Sequence, residues 1–178
     1  MFRFIAYVGF AAGCLATTVW AGEPSSEFAA LISMQKQPAG TFYVSASLDG
    51  HDGALPLLVD TGSSFTVLNE VLLKELKAHG TAEYVHDIEG MMADGSHRTI
   101  PIYRLTALRI GDACWIHNVE AAIFPADTRP ILGMNVLTRL APFTLSDDPA
   151  TLALNKCRPS SSTAAAVSIA VPVSRSPD

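Results

Sequence analysis

Leu57-Leu58-Val59-Asp60-Thr61-Gly62-Ser63-Ser64 is an apolar run that ends on one carboxylate and turns at once into small polar residues. Three consecutive apolar residues bounded by turn formers read as a short strand covered on both faces. A carboxylate at the end of such a strand is costly unless it finds hydrogen-bond donors, a second group to share its charge, or a chemical task. Thr61 adds a hydroxyl, and Gly62 lets backbone amides come close. Asp60 is therefore the residue whose support has to be sought in the rest of the chain.

On the N-terminal side, residues 41–48 are rich in strand formers, and Asp49-Gly50-His51-Asp52-Gly53 makes a turn, so this strand and the Asp60 strand form a hairpin. Residues 22–40 are mixed: Ser25-Ser26-Glu27 opens a short helix to Met34, or the segment is a linker or an added edge strand. On the C-terminal side, residues 63–68 leave the turn as a strand. Asn69 then caps a helix over residues 70–78 with Val71, Leu72 and Leu76 on one side and Gly80 at its end. Residues 84–88 and 99–105 flank a tip containing Asp94-Gly95, the pattern of a hairpin. Residues 105–110 and 119–124 supply two further strands on either side of Gly111-Asp112, and residues 125–130 form a loop. Ile131-Leu132-Gly133 precedes a short helix ending at Leu140, and residues 143–145 and 151–154 close the domain as a hairpin. Short strands separated by Gly and Pro point to an all-β domain.

Asp60-Thr61-Gly62 behind an apolar strand, followed at a distance by Ile131-Leu132-Gly133 opening a helix, resembles the paired signatures of aspartic proteases. Over residues 41–154 the pattern is closest to small bacterial retropepsin-like proteases with a single signature per chain. The resemblance implies a closed β-barrel with one or two short helices and a flap hairpin, and aspartic endopeptidase activity on peptide or protein substrates without a cofactor. It places Met91, Met92, Ala93, Asp94 and Gly95 in the flap and Thr61 where hydroxyls lock two signature loops together. Ser63 stands where many relatives carry Ala, and a hydroxyl there can reach the carboxylate. Acid–base hydrolysis of a peptide bond needs two carboxyls at ~3 Å that share one proton. No second Asp-Thr-Gly or Asp-Ser-Gly is present, so the partner acid is Asp60 of a second copy in a symmetric homodimer.

The 178 residues, 49% hydrophobic, allow one domain with a real core. A net charge of −5 without a Lys/Arg block excludes nucleic acid as the expected partner. Arg3, the apolar stretch 4–19 and Val19-Trp20-Ala21 form a secretory-signal pattern over residues 1–21, and the expected location is the periplasm. Left uncleaved, residues 4–19 anchor the domain in a membrane, and Cys14 admits a lipoprotein reading. In either case Cys114 and Cys157 remain as a candidate disulfide. His51, His79, His86, His97 and His117 are scattered without metal-ligand spacing, so no metal is expected. Residues 158–178 are rich in Ser, Ala and Pro and read as a disordered tail with an apolar stretch at 164–173. Two competing readings stand beside the protease. One is a non-catalytic exported peptide-binding or scaffold module of the same fold. The other is an unrelated ligand-carrying barrel in which Asp60 only forms a turn, and where Ile131-Leu132-Gly133 has no reason to lie beside it.

Overall fold

The structure, a computed structural model, describes residues 28–92, 94–112 and 114–157. The proposed signal, the tail and Ala93 lie outside the described residues. Among the described residues two α-helices, one 3-10 turn (Thr138–Leu140) and eleven strands follow one another, and the strands fall into two sheets. In the larger sheet β2 (Gln35–Lys36), β3 (Phe42–Leu48), β4 (Leu55–Val59), β9 (Ile131–Leu132), β5 (Thr66–Asn69), β8 (Cys114–Phe124), β7 (His97–Ile110) and β6 (Ala82–Met91) lie side by side in that order. Because β3 also pairs with β7 through Ala46↔Ile110 and Leu48↔Leu108, six of these strands return on themselves as a ring. The smaller sheet places β11 (Ala150–Leu154) between β1 (Ala30–Ser33) and β10 (Phe143–Asp147).

Side-chain alternation explains how the ring fills. Val44, Ala46 and Leu48 of β3 are buried while Ser45 is exposed, the period-two pattern of a strand with one covered face. They join Leu57, Leu68, Leu108, Ile110, Leu132 and Leu152 in the main core. A second, smaller cluster of Val67, Ile100, Ile102 and Ala122 sits apart, with Phe65, Ile88, Met92, Phe124 and Ile131 packed against it.

Several expectations are corrected. Of the readings left open for residues 22–40, helix, linker or added edge strand, the edge strand is the one found: β1 pairs with β11, β2 with β3, and Met34 is buried. Residues 99–105 and 105–110 are not two strands but one, because β6 holds the first half of β7 while β3 and β8 hold the second. β8 begins at Cys114 rather than at 119; the polar pair His117-Asn118, with Asn118 at φ 53°, hides its continuity in the sequence. Helix α1 (Glu70–Ala78) buries Leu72 and Leu76, but Val71 points to solvent at 61% exposure and Leu73 takes its place against the core. Cys114 and Cys157 are joined by a disulfide with Cα atoms 4.8 Å apart, which ties the start of β8 to the chain just after β11.

Candidate active site

The Asp60 strand is held by a very short strand inside the sheet. β9 has two residues and is inserted between β4, which it meets in parallel as Leu58↔Ile131 and Val59↔Leu132, and β5, which it meets as Val67↔Ile131. The Asp60 N–H donates to the Leu132 carbonyl at 3.1 Å, so the expected second signature lies beside the carboxylate. Gly133 is required there, since a Cβ at this position would fall on the Phe65 carbonyl. Helix α2 (Met134–Leu137) begins at once, and its free N–H groups are met by the Asp60 loop: Met134 N donates to Ser63 O at 2.8 Å and Asn135 N to Ser64 O at 3.1 Å.

Asn135 completes the junction. Its Oδ1 accepts from Thr66 N at 2.8 Å and from Thr66 Oγ1 at 3.1 Å, and its Nδ2 donates to Glu120 O at 2.7 Å. Thr66 is fully buried, the one polar residue among the buried side chains described, so its hydroxyl needs such a partner. A single amide thereby joins β5, β8 and α2 behind the loop. Neither residue stood out in the sequence, because an Asn after a helix start and a Thr in a strand are ordinary in isolation. Asn69 has a similar double role: its Oδ1 caps α1 by accepting from Leu72 N, and its Nδ2 donates to Thr128 O in the 125–130 loop.

At the loop itself the Asp60 Oδ1 accepts from Gly62 N at 2.8 Å. Thr61 and Gly62 are exposed, and the Thr61 hydroxyl has no hydrogen-bond partner among the described residues. Ser63 does not reach the carboxylate. Its Oγ donates to Phe65 O at 2.7 Å, two residues on, the local side-chain-to-backbone bond that Ser favours in turns.

Asp60 borders a cleft of about 560 Å³, within the range of small-molecule and peptide sites. Phe65, Ile100, Phe124 and Ile131 give it an apolar wall, and the β6 side from Ile88 to Met92 covers it. Met91 and Met92 both line it; Met91 is 73% exposed, whereas Met92 packs on the smaller cluster. Asp94 and Gly95 are not among its lining residues and build the hairpin tip instead. There Met92 N donates to Ser96 O and Gly95 N to Met92 O, with Gly95 at φ 81°. The Asp94 carboxylate accepts from Ser96 Oγ at 2.7 Å and Ser96 N at 2.9 Å, and the hydroxyl bond first, then the amide, holds its pKa below the usual carboxylate value. Glu89 also borders the cleft, but its Oε1 is engaged by Thr99 Oγ1 at 2.7 Å.

Among the described residues, no cluster of three or more His, Cys, Asp or Glu side chains converges on a common point. No described helix is long and apolar enough to cross a membrane. A family model described as aspartyl protease matches residues 44–136. No curated protein matches the chain. Among solved structures, the chain is similar to a retropepsin-like aspartic protease from Rickettsia conorii, at 20% sequence identity and a TM-score of 0.50. The similarity covers 70% of this chain and 88% of that one. At this identity the likeness bears on the fold, which is mostly β with two short helices and retropepsin-like.

Proposed function

Because the chain belongs to the aspartyl protease family, we propose that it is an endopeptidase whose active centre is completed by two copies, each supplying Asp60. The observation that carries this reading is the placement of Asp60: a carboxylate on a loop locked by β9, Gly133 and Asn135, at the edge of an apolar cleft beneath a methionine-bearing hairpin. Packing alone gives no reason to keep a charge there.

One carboxyl cannot take a proton from water and give one to the carbonyl oxygen at the same time. Two at ~3 Å can, because they retain a single proton between them. The ionised Asp60 accepts a proton from the attacking water while the protonated Asp60 donates to the substrate carbonyl. The tetrahedral diol then collapses: its C–N bond breaks, the proton held by the first carboxyl passes to the leaving amine, and a diol hydroxyl returns its proton to the second carboxylate, which restores the single shared proton. The exposed Thr61, with its hydroxyl unengaged among the described residues, suits a contact between the two loops. Met91 and Met92 would cover an extended peptide, thioethers adapting to side chains of different shape. The Cys114–Cys157 disulfide supports an oxidising, exported location, in keeping with the signal pattern over residues 1–21.

The test compares purified wild-type and Asp60→Asn proteins on a mixed peptide pool from acidic to neutral pH, with sedimentation under the same conditions. Cleavage is expected from the wild type only, in step with dimer formation. Undiminished cleavage by Asp60→Asn, or by a strictly monomeric wild type, rejects the assignment.

A further inference from the structure

A second groove, of about 400 Å³, lies away from Asp60 and is unaccounted for by the proteolytic reading. Five successive residues, 29–33, line it, so it runs along the edge of β1 rather than against one of its faces. The opposite wall is Ser45 and the β7–β8 turn from Ile110 to Asp112, with Cys114.

The hydrogen-bonding state of that edge follows from register. β1 has β11 on one side and, among the described residues, no strand on the other. Met34 N donates to Ala150 O, and in an antiparallel ladder bonded and non-bonded pairs alternate. Ile32 and Ala30 therefore direct their backbone groups to Leu152 and Leu154, while Leu31 and Ser33 direct theirs outward, along the groove. Leu31 adds an apolar side chain that is 70% exposed. An unpaired edge beside a groove of mixed polar and apolar lining is a template for an added strand.

The disulfide decides which strand is nearest. Cys114 lines the groove and is bonded to Cys157, the last described residue, which is therefore held beside it. Beyond a Ser- and Pro-rich spacer of six residues, with a reach of roughly 20 Å, comes Ala164-Ala165-Ala166-Val167-Ser168-Ile169-Ala170-Val171. Val167, Ile169 and Val171 recur at every second position, the period of a strand with one apolar face. Asp112 on the groove rim has no ion pair among the described residues, and Arg158 and Arg175 flank the apolar stretch. A short tether also raises the local concentration of this segment far above that of any separate partner.

We infer that the C-terminal stretch 164–171 of the same chain adds to the free edge of β1 as a further strand and fills this groove. The smaller sheet would then have four strands, with a segment unable to bury its apolar side chains alone gaining a covered face. The occupant is intramolecular and carries no catalytic group.

Amide hydrogen exchange on the full chain tests this directly. Leu31 and Ser33 amides are expected to exchange at least tenfold more slowly in the wild type than in Ile169→Pro, whose ring removes a ladder donor. The Ile32 amide, directed to β11, is expected to be unchanged and reports that β1 itself remains paired. Val171→Asp, which keeps its N–H but places a charge on the apolar face, is expected to release the same two amides. Equal exchange in all three proteins overturns the inference, as does protection that survives both substitutions, which would assign the edge to residues before 28. Protection that rises with protein concentration also overturns it, because a second copy would then be the occupant.

Discussion

Replacing Asn135 with Leu removes the junction behind the catalytic loop while nearly preserving volume. The side chain accepts from Thr66 N and Thr66 Oγ1 and donates to Glu120 O. The Thr66 hydroxyl can turn to another acceptor, but the Thr66 N–H and the Glu120 carbonyl are fixed by β5 and β8 and lose their partner outright. A buried backbone group left unsatisfied costs about 1–3 kcal/mol, so two such groups give an expected loss of ~4 kcal/mol. That is a large share of the stability of a single domain, about 5–15 kcal/mol. The assay is urea unfolding followed by tryptophan fluorescence, with Thr66→Val and the double variant completing a cycle. The reasoning requires the two single losses to depart from additivity by no more than the one hydroxyl bond they share, about 1 kcal/mol, because Thr66→Val leaves the Thr66 N–H and Glu120 carbonyl bonds in place. A loss below about 1 kcal/mol for Asn135→Leu, or a coupling as large as the Asn135→Leu loss itself, refutes it.

The remaining predictions concern the frame and the hairpin tip. Cys157→Ser, or reduction, is expected to cost roughly 4 kcal/mol from the restored chain entropy of a 43-residue separation, read as a lowered urea midpoint; an unchanged midpoint refutes the estimate. Gly133→Ala, whose methyl would fall on the Phe65 carbonyl, is expected to cost about 3 kcal/mol or more. Gly53→Ala, at φ 96° with open space around it, is the control and should cost only ~1 kcal/mol by thermal melting. Gly133 itself is extended at φ −96°, so equal losses in the two variants would refute the close approach as the reason for glycine there. At the hairpin tip, the folded pKa of Asp94 is depressed, so its stabilising bonds are present above its unfolded value and are lost as pH falls through the folded one. Ser96→Ala should therefore move the Asp94 carboxyl titration, followed by carbon NMR, upward; an unmoved titration would show that Ser96 is not its cause.

The Asp60 strand, its hairpin partner, the capped helix and the closing hairpin were all legible in the sequence, because each rests on local signals: apolar runs, an N-capping Asn, Gly in turns. The adjacency of Ile131-Leu132-Gly133 to Asp60 came from the resemblance, and no local pattern predicts a two-residue strand. What stayed hidden is long-range. Asn135 and Thr66 are 69 positions apart, and only the crossing of β5 behind α2 gives them a shared purpose. The unity of β7 was masked because its two halves serve different neighbours and therefore change their exposure pattern midway. Ser63 was misread for the opposite reason: the nearest acceptor to its hydroxyl is a backbone carbonyl two residues away, and a local bond prevailed over the charged one.

The divided loyalty of β7 has a mechanical consequence. From Ile102 to Ile110 it is clamped by β8, and from Leu108 to Ile110 by β3 as well. From His97 to Pro101 its one strand neighbour among the described residues is β6, while the Ile100 side chain is buried beside Val67 and Ala122. The hairpin is thus a cantilever whose root reaches Ile100, with an overhang on this strand of three residues, His97 to Thr99, roughly 10 Å long at strand rise. Deflection of that overhang leaves the ring that positions Asp60 undisturbed.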